Sequence, residues 1–149
     1  MRPAPTIRPL APEDRDAWAP LWRGYLAFYG TERDEAQFDL TFARYTEPDR
    51  ADMLAWLAWD GKAALGLVHV IVHAHGWHAA PVSYLQDLFT TPEARGRGVA
   101  RALIETVYAH ADQAGHAGVY WLTQSGNITA QHLYDRLATK TDFIKYARP

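Results

Sequence analysis

The sequence predicts an α/β (α+β) fold: a mixed central sheet with helices on both faces, in the order β-α-α-β-β-β-α-β-α-β. Three observations carry this. In "PEDRDAWAPLWRGYLAFYG" the residues Trp18, Leu21, Trp22, Tyr25, Leu26 and Tyr29 recur at helical spacing and form one broad apolar face. In "ADMLAWLAWDGKAALGLVHVIVHAH" the period shifts to that of two strands joined at Asp60-Gly61, a hairpin signal. From Gly98 onward, helical and strand patterns alternate, the mark of helices layered on a sheet.

Taken in order, "PTIRPLA" reads as a short first strand. The first helix starts near Pro12, which suits a helix start, and ends at Gly30. A second helix is expected from Glu32 to about Tyr45. The hairpin follows, then a strand in "VSYLQDLFT". "GVARALIETVYAHADQAG" reads as a helix whose face is marked by Val99, Leu103, Val107 and Ala111, with Gly115 as its end. "GVYWLTQ" is rich in aromatic and β-branched residues and reads as a strand. "NITAQHLYDRLA" reads as a helix, and "DFIKYAR" as a last strand. No repeat or low-complexity tract divides the chain, so residues 1–149 are expected to form a single domain.

The bulk properties exclude several classes. A chain of 149 residues can bury a real core. Its formal net charge of -2 lacks the basic surplus of a nucleic-acid binder. With no cysteine there is no disulfide framework, thiolate metal site or cysteine nucleophile. No apolar run approaches the roughly 20 residues of a membrane span, and "MRPAPTIRPL" has no signal-peptide core. A cytoplasmic location without a membrane partner is the expectation. The two serines, Ser83 and Ser125, stand outside any G-x-S-x-G elbow.

The densest chemical signal is "TTPEARGRGVARALI", where Arg95, Gly96, Arg97, Gly98, Val99, Ala100 and Arg101 lead into a helix. A helix start offers free backbone N–H groups and a partial positive charge, and glycine lets a ligand approach the backbone. A phosphate or pyrophosphate is the expected guest, with Arg95, Arg97 and Arg101 adding charge. The P-loop pattern is missing, and the dinucleotide fingerprint fails where Arg101 replaces its third small residue.

What does fit is R-x-x-G-x-A, formed by Arg95, Gly98 and Ala100. It resembles the pyrophosphate signature of the GNAT superfamily of N-acetyltransferases. "YLQDLFTTPEARGRG" resembles that superfamily's strand-and-loop segment nearly position by position. "YWLTQSGNITAQHLYDRLA" resembles its second signature, with Asn127 and, seven residues on, Tyr134. "WAPLWRGYLAFYG" resembles the first helix of a bacterial branch related to fungal histone or D-amino-acid acetyltransferases. Spermidine/spermine N-acetyltransferases are more distant relatives on this reading.

The resemblance implies a GNAT-like sheet and acetyl-CoA as cosubstrate, with no metal. The acceptor would be a primary amine of a small molecule, an amino acid or a lysine side chain, attacking directly in a ternary complex. Backbone groups of Gly96 to Arg101 would hold the pyrophosphate, and Leu88, Phe89 and Thr90 would pair with the pantetheine arm. Asn127 would bind the pantetheine amides or cap its helix; by residue type both roles are open. Tyr134 is the candidate acid for the departing thiolate, or else a packing aromatic. Tyr25, Tyr29 and Gln86 would contact the acceptor, beside an acidic rim of Glu32, Asp34 and Glu35.

Many relatives carry an acid where Gln86 stands, so the base is open among water, His69 and Asp87. In a regular strand Asp87 would point away from Gln86's face. A metal cluster of His69, His73, His75 and His78 is disfavoured because no Asp or Glu lies near them in sequence. A homodimer through the last strand is expected, because its edge would be uncovered. Two other classes compete: a non-catalytic acyl-CoA-binding sensor or regulator, and a nucleotide binder that uses the same loop for ATP or NAD.

Overall fold

The computed structural model describes residues 3–149. Five strands lie in chain order across one sheet: β1 (Thr6–Pro9), β2 (Met53–Asp60), β3 (Ala63–His73), β4 (Val82–Thr90) and β5 (Gly118–Tyr120). The first four form an antiparallel meander, and β5 runs parallel to β4. The helices are α1 (Arg15–Phe28), α2 (Glu35–Thr46), α3 (Val99–Ala114) and α4 (Ile128–Leu137).

Sequence rules account for most boundaries. Pro12–Asp14 form a single 3₁₀ turn ahead of α1. The second helix begins three residues later than expected, at Glu35, because Asp34 caps it by accepting from the Gln37 N–H at 2.9 Å. The hairpin turns at Gly61, whose φ of 59° lies in the left-handed region.

Both faces of the sheet are covered, so the inner strands are apolar on both sides. On one face α1 and α2 enclose Trp18, Leu21, Trp22, Phe38, Phe42, Leu57 and Leu67. On the other, α3 packs Val99, Leu103, Ile104 and Val107 against Val68, Val70 and Leu85, and Leu133 and Leu137 of α4 extend that layer. Helix α1 comes unusually close to β4. A Cβ on Gly24 would stand 2.7 Å from Cζ of Phe89, so the phenyl ring occupies the space left by the missing side chain.

Two expectations are corrected. "DFIKYAR" is not a strand; residues 138–149 hold no helix or strand, and Phe143, Ile144 and Tyr146 are exposed. Strand propensity takes effect only against a partner edge, and on this side the edge strand β5 is three residues long. "GVYWLTQ" is a strand only as far as Tyr120, because its pairing with β4 ends at the Tyr84–Tyr120 rung.

Candidate active site

Strands β4 and β5 part after that rung, leaving one edge of β4 from Leu85 to Thr90 without a strand beside it. A cleft of about 280 Å³ opens there. Tyr25 and Tyr29 of α1 line it, with Tyr84, Gln86 and Leu88 of β4, Trp121 to Gln124 beyond β5, Tyr134 of α4, and Lys145. The sequence-predicted residues Tyr25, Tyr29, Gln86, Leu88 and Tyr134 thus share one cavity. The acidic rim does not join them. Asp34 is the α2 cap, Glu35 pairs with Arg15 and Arg23, and Glu32 lies in a separate hollow beside Arg33.

At the end of β4 the chain turns into α3 through the arginine-glycine loop. Gly96 and Gly98 have φ of 78° and 76°, and Gly98 is the N-cap of α3. No side chain caps this helix, and its first turn carries no acid. A Cβ at either glycine would meet nothing within 4 Å, so the loop has open space around it. The backbone N–H groups of Val99, Ala100 and Arg101 are therefore free for an anion. Two of the three arginines are engaged elsewhere: Arg97 bonds Asp60 at 3.0 Å and Arg101 bonds Glu105 at 2.8 Å. Just before the loop, Oγ1 of Thr90 is buried with no hydrogen-bond partner. The free edge, the uncapped glycine turn and this orphaned hydroxyl together fit an extended, phosphate-bearing group.

Asn127 caps α4, its side chain accepting from the Ala130 N–H at 3.4 Å. Its amide N–H₂ is left for another partner. Tyr134 sits between packing and cleft: its ring meets Trp121 edge-on at 5.4 Å, while it also lines the cavity. Burial, aided by Tyr29, holds its phenol above the ordinary tyrosine value, so it stays protonated.

Sequence reasoning missed a bulge. His69 pairs with Asp87 but Val70 pairs with Leu85, so Gln86 is an extra residue in β4. The bulge shifts the alternation by one. Asp87 therefore joins Tyr84 and Phe89 on the α1/α2 face, where a regular strand would have turned it away. Its carboxylate accepts from His69 at 2.8 Å and is 13% exposed. Tyr25 and Tyr45 approach it; burial first, and then the Asp87 charge, pushes both phenols up. His69 itself is fully buried, its Nε2 at 3.0 Å from the Trp18 indole nitrogen. That removes it as a base meeting the acceptor. The other histidines disperse: His73 bonds Tyr120 at 2.7 Å, and His75 lies beyond the strand end beside Trp77 and His78.

The sheet thus splits beside a glycine-started helix, with a tyrosine-lined cleft at the split. The profile of the Acetyltransferase (GNAT) family matches residues 17–138, and the chain belongs to that family. It is 39% identical over 144 residues to the D-amino-acid N-acetyltransferase HPA3 of Saccharomyces cerevisiae, covering 95% of this chain and 89% of that protein. It is 33% identical over 115 residues to an aminoglycoside N(6')-acetyltransferase type 1 of Stenotrophomonas maltophilia, covering 75% and 71%. Its fold is similar to that of AAC(6')-Iy solved with the bisubstrate analogue CoA-S-monomethyl-acetylneamine, with a TM-score of 0.84, 19% identity and 99% of each chain covered.

Proposed function

We propose that this enzyme takes acetyl-CoA and transfers its acetyl group to a primary amine of a small molecule, an amino acid or a lysine side chain, by direct attack in a ternary complex. The observation that carries the reading is the parting of β4 and β5 next to the uncapped start of α3. When bound, the cosubstrate supplies an activated thioester. Backbone N–H groups from Gly96 to Arg101 hold its pyrophosphate, and the free edge of Leu88, Phe89 and Thr90 pairs with its amide-bearing arm. The Asn127 amide has an N–H₂ to add. Tyr134, kept protonated, gives its proton to the leaving sulfur. Tyr25, Tyr29 and Gln86 face the acceptor.

The relatives named above are named for D-amino acids and for aminoglycosides, and both kinds of acceptor carry amino groups. The acceptor class proposed here is the same. Calorimetry should show acetyl-CoA binding far tighter than ATP or NAD; equal affinities would reject the cofactor assignment. Thiol release from acetyl-CoA should then be followed over a panel of D- and L-amino acids, lysine peptides, aminoglycosides and spermidine. Binding without turnover of any amine would make the protein an acyl-CoA sensor instead.

The exposed Phe143, Ile144 and Tyr146 of the C-terminal segment support a homodimer in which a second copy covers them. Light scattering that finds a monomer at every concentration would reject that. The reading carries a cytoplasmic location, where acetyl-CoA is available.

A further inference from the structure

We infer that Asp87 is the counter-ion and proton acceptor for the acceptor's ammonium, and that His69 and Trp18 are positioning residues that keep its charge free and aimed at the cleft. The inference deepens the acetyltransferase reading above and rests on it. It starts from a hydrogen-bond constraint. An indole N–H can only donate. With Trp18 Nε1 at 3.0 Å, Nε2 of His69 must therefore present its lone pair. The ring proton then lies on Nδ1 and is donated to Oδ2 of Asp87 at 2.8 Å. Tyr45 stacks flat on the imidazole at 4.0 Å between centroids, and the ring is fully buried. A proton on Nε2 would point at the indole N–H, so the geometry holds the ring in its Nδ1–H tautomer.

The consequence falls on Asp87. It receives an oriented hydrogen bond but no positive charge. Among the described residues no Lys or Arg lies within ion-pair distance of it; within that distance it meets only His69. The groups that face it are phenols: Tyr25 and Tyr29 from α1, Tyr45 from α2 and Tyr84 on its own strand. Burial is the leading cause that keeps all four protonated, and the Asp87 charge adds to it. Arg44 and Arg50 act on Tyr45 and oppose its shift without overcoming it. A largely buried carboxylate ringed by neutral groups lacks a cation. Tyr25, Tyr29 and Tyr84 are at the same time walls of the cleft; Asp87 stands behind them, 13% exposed, and an ammonium held among these phenols is the cation it lacks.

The proton inventory closes. An ammonium has no lone pair, so one N–H proton passes to the Asp87 carboxylate and a neutral amine remains. The nitrogen bonds to the thioester carbon, and the C–S bond breaks as Tyr134 protonates the sulfur. The second nitrogen proton restores the Tyr134 phenol through water, and Asp87 releases its proton to solvent. The amide, the thiol and one proton leave. Gln86 accepts no proton, and His69 does not reach the substrate.

The test uses the full-length enzyme, acetyl-CoA, and the panel amine with the largest kcat/KM. Long-range ¹⁵N–¹H spectra of histidine-labelled protein should show the His69 ring proton on Nδ1 and none on Nε2. Asp87→Asn should lower kcat/KM for the amine about 10²-fold or more while acetyl-CoA affinity holds. Trp18→Phe removes the indole N–H and lets His69 take a second proton. Its kcat/KM relative to wild type should fall progressively as pH is lowered, as a histidinium neutralises Asp87. His69→Asn, which keeps an N–H near the Nδ1 position, should retain more activity than His69→Leu. A merely structural role would give a pH-independent loss. Wild-type kcat/KM in Asp87→Asn, a pH-independent Trp18→Phe ratio, or a proton on Nε2 in the wild type would each overturn the inference. So would acetyl-CoA binding without turnover of any amine, whereas failure to bind acetyl-CoA would reject the underlying reading first. Should Asp87→Asn not fold, the wild-type spectra and the Trp18→Phe profile decide.

Discussion

Beneath α1 and α2 the buried residues include Trp18, Trp22, Phe38, Phe42, Tyr45 and Trp59, whereas beneath α3 they are mostly Val, Leu, Ile and Ala, with Trp56 the exception. The aromatic side also buries His69 and shelters Asp87; the aliphatic side ends in an uncapped glycine turn. On the function proposed above, the contrast follows from what each side does. Gripping a pyrophosphate takes backbone N–H groups, so the α3 layer needs only a rigid, well-packed helix. Meeting an ammonium takes a side-chain charge held part-buried, and Trp and Tyr supply both apolar surface and a polar tip to hold it.

The strongest test of this division is Gly98→Glu. A carboxylate placed at the cradle would repel the pyrophosphate and abolish acetyl-CoA binding in calorimetry, while circular dichroism stays native. Unchanged affinity would remove the cradle from the site. Gly98→Ala is the control. With open space around its Cβ, it should cost only about 1–2 kcal/mol of stability, for the left-handed backbone. Next in size is Tyr134→Phe. Loss of one general acid should lower kcat about 10²-fold or more with little change in acetyl-CoA affinity. Full activity on the best amine would leave Tyr134 a packing residue.

The same tyrosine makes a pH prediction. Burial disfavours the phenolate, so its pKa is raised and the acid form persists. The alkaline fall in kcat should therefore begin only above about pH 10, the ordinary tyrosine value. A fall assigned to Tyr134 below that would contradict its burial.

Packing between the two regions gives a smaller effect. Gly24→Ala sets a Cβ 2.7 Å from the Phe89 ring. It should lower stability by about 1–3 kcal/mol, as overpacking does, and Phe89→Leu should recover part of it. Additive losses in the double variant would show that the two do not share that space. Smallest is Asp60→Asn, which breaks an exposed pair with Arg97. Stability should change by less than about 1 kcal/mol, and acetyl-CoA should bind slightly tighter as Arg97 is freed. Weaker binding would show that Asp60 orders the loop.

Local signals were readable where physics is local. The amphipathic stripes of α1 and α3, the hairpin at Gly61 and the loop glycines all follow from neighbours in sequence. The loss of alternation in β4 does not. "YLQDLFT" reads as a regular strand, and only pairing with β3 shows that Gln86 is extra. His69 was legible as a polar residue in an apolar strand, but its partners stand 51 and 18 residues away. "DFIKYAR" has a strand's composition without a partner edge, which composition cannot report.

The bulge has a bearing on how such a site changes over generations. Two neighbouring residues, 86 and 87, both turn toward α1 and α2: the Gln86 amide oxygen lies 3.5 Å from the Tyr45 hydroxyl, and the Asp87 carboxylate is bound to His69 beneath it. With Asp87 meeting the ammonium as inferred above, two addresses serve a single charge. An acid can be lost from one while the other keeps the lineage active, and the vacated position is free to sample groups that select a different amine. Gln86, which looks like a missing carboxylate in a one-dimensional comparison, is then a position released for choosing acceptors.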